Sequence, residues 1–209
     1  MIKHKFAHKF GCVALGLALT GVASSPAFAL PVIENFDSSS VNISRPDANT
    51  LQISAPDKAI LEYQSFNIAE NESVIFNLPE SASEVLNRVI GGGLSSILGS
   101  LTCNGTFILI NPNGIFIGPN ARLDVGSAIL STRDITNEDF TSSNYVFKKT
   151  GNVQTDVLLR NEGVINIRQG GFGVLIAGAV DNEGSIIAEA GSVGLAAGDE
   201  VRLGIADGG

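Results

Sequence analysis

Acidic residues at turn positions are the first groups in this chain that could do chemistry. Asp181-Asn182-Glu183-Gly184 and Arg160-Asn161-Glu162-Gly163 set carboxylates beside Asn and Gly, and paired carboxylates are the machinery of glycoside cleavage. In segments of this composition a solvated corner is the ordinary role of an acid. A calcium loop would need an Asp-x-Asp-x-Asp-Gly series, which is missing. Gly91-Gly92-Gly93-Leu94-Ser95-Ser96 has the glycines of a phosphate loop but lacks its Gly-Lys-Ser/Thr ending.

The start of the chain removes more chemistry. Met1 to Ala29 is organised as a secretory signal: Lys3, Lys5 and Lys9, then apolar Val13 to Val22, then Ala27-Phe28-Ala29 for a signal peptidase. Cleavage is expected after Ala29. The apolar run is too short for a membrane anchor, and Pro26 follows it. Cys12 lacks the neighbours of a lipoprotein signal. The leader contains the only histidines, His4 and His8, and one of the two cysteines. The 180 residues that follow keep a single thiol, Cys103, and can form no internal disulfide.

Without histidine, Ser-His-Asp and Cys-His nucleophile systems cannot be assembled. One cysteine cannot build a zinc site. The chain is therefore read as not an enzyme, with no cofactor and no metal. Of 13 basic residues against 21 acidic, three basic ones leave with the leader, taking the net charge from −8 to −11. That balance argues against nucleic acid or an anionic membrane surface as a partner, and no membrane insertion of the mature chain is expected.

The elements that must position any site are strands and corners. Asn111-Pro112-Asn113-Gly114 separates two apolar runs, Phe107 to Ile110 and Ile115 to Ile117, and is turn chemistry: Pro presets φ while Asn and Gly accept unusual conformations. Asn161-Glu162-Gly163-Val164-Ile165 returns as Asn182-Glu183-Gly184-Ser185-Ile186, an offset of 21. Gly170, Phe172, Gly173 and Val174 recur at the same offset as Gly191, Val193, Gly194 and Leu195. A period near twenty with short alternating strands is a solenoid signature.

The fold expected is all-β, a parallel β-helix in which Ile165 stacks on Ile186, Phe172 on Val193, Val174 on Leu195 and Ile176 on Ala197 in a narrow core. Asn166 and Arg168 then face water. A sandwich would explain the strands but not the register, and a leucine-rich repeat would show recurrent Leu and an Asn ladder. In this frame the Asn111 corner is a bend between faces of one coil.

Along the chain, residues 30–71 are expected to form an N-terminal β cap and the first strands, since an open solenoid end must be covered. Residues 72–133 are the motif-bearing coils, with a helical turn conceivable over Ser81 to Val89. Residues 134–150 leave the coil as a hairpin or loop excursion, and 151–209 are regular coils. The terminus Ala206-Asp207-Gly208-Gly209 carries no recognisable cap.

Several segments together resemble a known family. Gln64-Ser65-Phe66-Asn67-Ile68, Glu72-Ser73-Val74-Ile75-Phe76, Asn87-Arg88-Val89-Ile90-Gly91, Ser95-Ser96-Ile97-Leu98-Gly99 and Asn111-Pro112-Asn113-Gly114-Ile115 look like the amino-terminal secretion domain of two-partner secretion exoproteins of the filamentous haemagglutinin type. The resemblance implies a right-handed β-helix and a partner, an outer-membrane β-barrel transporter that recognises the chain through periplasmic POTRA domains. It implies a chain exported through the periplasm, secreted or held at the cell surface, whose first domain nucleates folding of a longer adhesin, haemolysin or toxin carrier. Transporter recognition is assigned to Asn87, Arg88, Val89 and Gly91 and to Asn111, Pro112, Asn113, Gly114 and Ile115, although these motifs could equally just shape turns. Cys103 and the excursion match no motif of the family.

The alternative is an adhesin in its own right, a binding solenoid that meets a host-cell or surface glycan target through its β-helix face or through the excursion. A polysaccharide-cleaving β-helix would additionally need a groove of clustered carboxylates and Arg or Lys.

Overall fold

The computed structural model describes residues 29–37, 39–151 and 157–204. The expected signal segment up to Phe28 and the final residues 205–209 lie outside them. The described chain begins with β1 (Val32–Asn35) and β2 (Asn42–Asp47), both antiparallel to the strands they meet. Parallel winding starts at β3 (Thr50–Ser54) and β4 (Ala59–Ser65), where buried and half-exposed residues alternate through β3 and as far as Tyr63 in β4.

Each of the next four coils lays strands on three faces. The second coil contains β5 (Ser73–Asn77), β6 (Glu84–Val89) and β7 (Ser95–Ile97). The third has β8 (Ser100–Ile110), which spans two faces, and β9 (Ile115–Ile117). The fourth opens with β10 (Arg122–Ser131), departs through helix α1 (Asn137–Thr141) and β11 (Val146–Lys148), and returns as β12 (Leu158–Asn161). The fifth holds β13 (Val164–Ile167), β14 (Phe172–Ala177) and β15 (Ala179–Asn182). The last holds β16 (Ser185–Ala188), β17 (Ser192–Ala197) and β18 (Glu200–Arg202).

Parallel ladders run the length of every face. The first face is β3, β5, the front of β8, the front of β10, β13 and β16, and the second is β4, β6, the rest of β8, the rest of β10, β14 and β17. The third runs β7, β9, β12, β15, preceded by an Ile68 to Ile97 bridge. This is a right-handed-type parallel β-solenoid of about six turns, as the repeat and the resemblance led one to expect. The Asn111 turn joins the second face to the third within one coil.

Two apolar clusters hold the structure. The interior holds Leu51, Leu61, Leu109, Leu123, Ile165 and their stacked neighbours, with Tyr63, Phe66, Phe76 and Phe107 filling its wide early part. Phe66 and Phe76 flank Phe107 at 5.9 and 5.2 Å between ring centroids. The second cluster lies outside the tube: Leu86, Ile108, Ile110, Ile129 and Ile176 on the outer side of the second face, beneath Ile135, Phe140, Tyr145 and Phe147. Two-sided burial explains the continuous apolar reading of Phe107 to Ile110.

The excursion is therefore a cover and differs from the hairpin or loop expected. Thr136 caps α1 by accepting from the Asp139 amide, and β11 pairs antiparallel with β18 of the last coil. Lys58 fastens it: its Nζ lies 2.8 Å from Glu84 Oε2, donates to the Phe140 carbonyl at 3.2 Å, and sits 4.8 Å over the Phe140 ring. Arg133, fully buried, donates from Nε to the Gly198 carbonyl at 2.7 Å and so ties the start of the excursion to the last coil.

Two local expectations are corrected. The segment considered for a helical turn contains β6, because Glu84–Val89 completes the second-face ladder between β4 and β8. On β14 the register is one residue shorter than expected: Phe172 stands beside Ser192, Gly173 beside Val193, Val174 beside Gly194, Leu175 beside Leu195 and Ile176 beside Ala196. The turn before β17 is one residue shorter than the turn before β14, while Ile165 still pairs with Ile186. An offset of 21 therefore matches outward positions of β14 with inward positions of β17. Leu175 and Ala177 point into the tube, and Phe172, Val174 and Ile176 pack under the excursion.

Candidate functional site

The two sequence motifs meet in space. Strand β6 carries Asn87, Arg88 and Val89 to the edge of the second face, and the chain turns through Gly91 to Gly93 before entering β7. One coil on, β8 ends at Ile110 and turns through Asn111 to Gly114 before β9. The two turns lie against each other as adjacent rungs.

Asn111 is the staple between them. Its side chain is fully buried. Nδ2 donates to the Gly93 carbonyl and to Ser95 Oγ, both at 2.9 Å, while Oδ1 accepts from the Asn113 amide at 2.9 Å. The last contact is the Asx turn that Asn commonly makes two residues on. The Gly114 amide closes the turn on the Asn111 carbonyl at 3.1 Å, and Gly114 takes φ +113°, where a side chain is strained. Asn113 is exposed, yet its Nδ2 donates to the Gly91 carbonyl at 2.9 Å. Gly91 and Asn113 thus join the two motifs directly.

Gly91 is required by proximity. A Cβ there would stand 1.9 Å from the Gln64 carbonyl oxygen of the preceding coil. The Gly92 position, by contrast, has open space around it.

The remaining motif residues point in different directions. Asn87 lies inside the tube, fully buried, accepting from the Tyr63 hydroxyl at 2.9 Å and donating to the Ile108 carbonyl at 3.1 Å. Burial raises the Tyr63 phenol well above its ordinary range, so it remains a donor to Asn87. Arg88 points out and grips the excursion: Nε to Asp134 Oδ1 at 2.9 Å, Nη1 to Asn137 Oδ1 at 2.9 Å, Nη2 to the Ile135 carbonyl at 2.7 Å. Val89 and Ile115 are core residues. Pro112 is half-buried and shares with Arg88, Ile90, Gly91, Asn113 and Asp134 a surface depression of about 430 Å³.

Chemically, this is a hydrogen-bonded corner whose polar side chains are occupied by one another and by main-chain carbonyls. Among the described residues no group of three His, Cys, Asp or Glu side chains could hold a metal ion. Nothing in the sequence marks the carbonyls of Gly91 and Gly93 or the Ser95 hydroxyl as the acceptors that join the motifs. Ile90 and Leu94 are about half exposed beside the corner. The apolar character of these two at turn positions was the available signal.

Comparison with known proteins agrees with this architecture. The family model of the TPS secretion domain matches residues 36–207. The crystal structure of the HMW1 secretion domain from Haemophilus influenzae superposes with a TM-score of 0.76 at 34% identity, covering 81% of this chain and 46% of that one. Two curated heme/hemopexin-binding proteins of Haemophilus influenzae are similar, one 41% identical over 63 residues and one, from strain Rd, 34% identical over 103 residues. The matches cover 30% and 48% of this chain but only 7% and 11% of those proteins. A right-handed-type β-solenoid carrying the paired Asn-Arg-Val-x-Gly and Asn-Pro-Asn-Gly-Ile corners, matched over most of its length, thus belongs to the TPS secretion domain family of two-partner secretion exoproteins.

Proposed function

We propose that this chain is captured in unfolded form, after loss of residues 1–29, by the periplasmic POTRA domains of an outer-membrane β-barrel transporter, and that it nucleates folding of an exoprotein outside the cell. The observation that supports this most is the burial of the motif side chains. Asn87 and Asn111 have no exposed surface in the folded chain, so a partner can read them only before the coil closes. Extended segments of this kind suit capture by strand addition. Recognition is assigned to Asn87, Arg88, Val89 and Gly91 together with Asn111, Pro112, Asn113, Gly114 and Ile115.

Nucleation has its own support: each coil pairs in parallel with the one before it along the ladders, so a formed coil is the template for the next.

The test is co-expression of the full chain with its transporter, measuring protein in the medium for wild type, Asn113→Ala and Asn111→Ala, with circular dichroism of each purified product. Transporter-dependent export that fails for a variant which still folds supports recognition. Export that is indifferent to the transporter overturns the proposal, and export that falls only in step with folding reduces the motifs to corners.

A further inference from the structure

We propose that Glu72 is a receptor for the α-ammonium group that signal cleavage creates at the head of the mature chain. The inference rests on the processing step proposed above. Glu72 is a carboxylate with only 2% of its surface exposed. Its Oε2 accepts from the Ala69 amide at 2.9 Å and its Oε1 from the Ala29 amide at 2.9 Å. Among the described residues no Lys or Arg forms an ion pair with it. The half-buried Glu84 illustrates the usual solution, with Lys58 at 2.8 Å. A carboxylate withdrawn from water to this degree is costly unless a cation balances it.

The head of the mature chain supplies that cation. Leu30 is 5% exposed and belongs to the interior cluster, and Val32 pairs with Ser65 on β4. These contacts hold the head of the chain beside the Ala69–Glu72 turn, which closes with the Glu72 amide on the Ala69 carbonyl at 2.9 Å. Cleavage after Ala29 removes the amide that Oε1 accepts from and converts the next nitrogen, that of Leu30, into an ammonium. One residue advances the chain by at most about 3.3–3.6 Å, so the new charge forms within reach of the carboxylate. While the leader is attached, the same position offers only a neutral amide. Processing thereby strengthens closure of the N-terminal cap, and a precursor that retains its leader closes that cap more weakly.

The exported chain is the material for the test. Intact mass and N-terminal sequencing establish where it starts. The α-amine is then labelled with an amine-selective reagent across a pH series, in buffer and in urea, and read on the N-terminal peptide. An ordinary α-amine titrates near about 7.7–8.0. Pairing with Glu72 raises the native midpoint by about one unit or more, a roughly tenfold slowing of labelling at neutral pH, while the midpoint in urea stays ordinary. In Glu72→Gln the native midpoint returns to the ordinary value or below it. Burial alone moves an amine the other way, because desolvation disfavours its charge. A wild-type native midpoint at or below the ordinary value overturns the pairing even if the variant does not fold. A start other than Leu30 overturns the processing step and the pairing with it, whereas a start at Leu30 with an unraised midpoint overturns the pairing alone.

Discussion

Replacing Asn111 by alanine tests whether one side chain holds the corner. The fully buried amide makes three bonds of 2.9 Å, to the Gly93 carbonyl, to the buried Ser95 Oγ and from the Asn113 amide. Each contributes about 0.5–1.5 kcal/mol net, and partners left unpaired in a buried place raise the cost of truncation. Asn111→Ala should therefore destabilise the domain by about 2–4 kcal/mol, a large share of a usual domain stability of about 5–15 kcal/mol. Asn113 is exposed and its side chain donates one strong bond, to the Gly91 carbonyl, so Asn113→Ala should cost no more than about 1 kcal/mol. Urea unfolding followed by circular dichroism measures both, with the denaturant slope unchanged if only stability moves. An Asn111→Ala domain within about 0.5 kcal/mol of wild type at unchanged slope would refute the staple. The contrast also prepares the export assay: loss of export in Asn113→Ala, which remains folded, points to recognition rather than to instability.

Three further outcomes are expected. Gly91→Ala, whose Cβ would meet the Gln64 carbonyl at 1.9 Å, should cost about 3 kcal/mol or more, while Gly92→Ala in open space should stay within about 0.5 kcal/mol of wild type; thermal melts of the pair decide. Burial pushes the Cys103 thiol up to about 11, so it should resist thiol reagents until the chain unfolds. Because the folded chain keeps a proton that the unfolded chain releases, stability should also fall as pH rises from about 9 towards 11, and Cys103→Ser should remove the early part of that slope, leaving the later part that buried Tyr63 contributes in the same way. Arg88→Ala strips the excursion of its bonds to Asp134, Ile135 and Asn137; a loss of about 2–3 kcal/mol, with faster hydrogen exchange over residues 134–150, should be seen, and Arg88→Lys should restore only part of it because a single ammonium cannot span three acceptors.

Much of the fold was legible because a solenoid writes its period into the chain. Asn161-Glu162-Gly163 and Asn182-Glu183-Gly184 announced equivalent corners, and Ile165 and Ile186 do stack. Asn-Pro-Asn-Gly announced a bend, and the bend lies between two faces of one coil. Turn chemistry is local, so sequence alone determines it. Sequence also placed both motifs in one chain order, though not against each other; the bond from Asn113 to the Gly91 carbonyl joins residues 22 positions apart and exists only once adjacent coils stack.

What sequence could not decide was which side of a strand faces in. Alternation marks two faces, and where both are apolar it names neither as interior. Hence Val174 and Ile176, assigned to the core by a constant offset from Leu195 and Ala197, lie outside under the excursion with Ile129, because one residue fewer in the turn before β17 makes that offset pair outward positions of β14 with inward positions of β17. The excursion itself reads as polar sequence with scattered aromatics, and its role as a cover depends on an apolar outer face whose buried residues come from four coils. Nothing local to Asn87 says that it lies inside the tube, since the partner that satisfies it, Tyr63, belongs to the previous coil. Local turn propensity and the repeat were properties of the sequence, and inside, outside and contact between coils were decided by the closing of the tube.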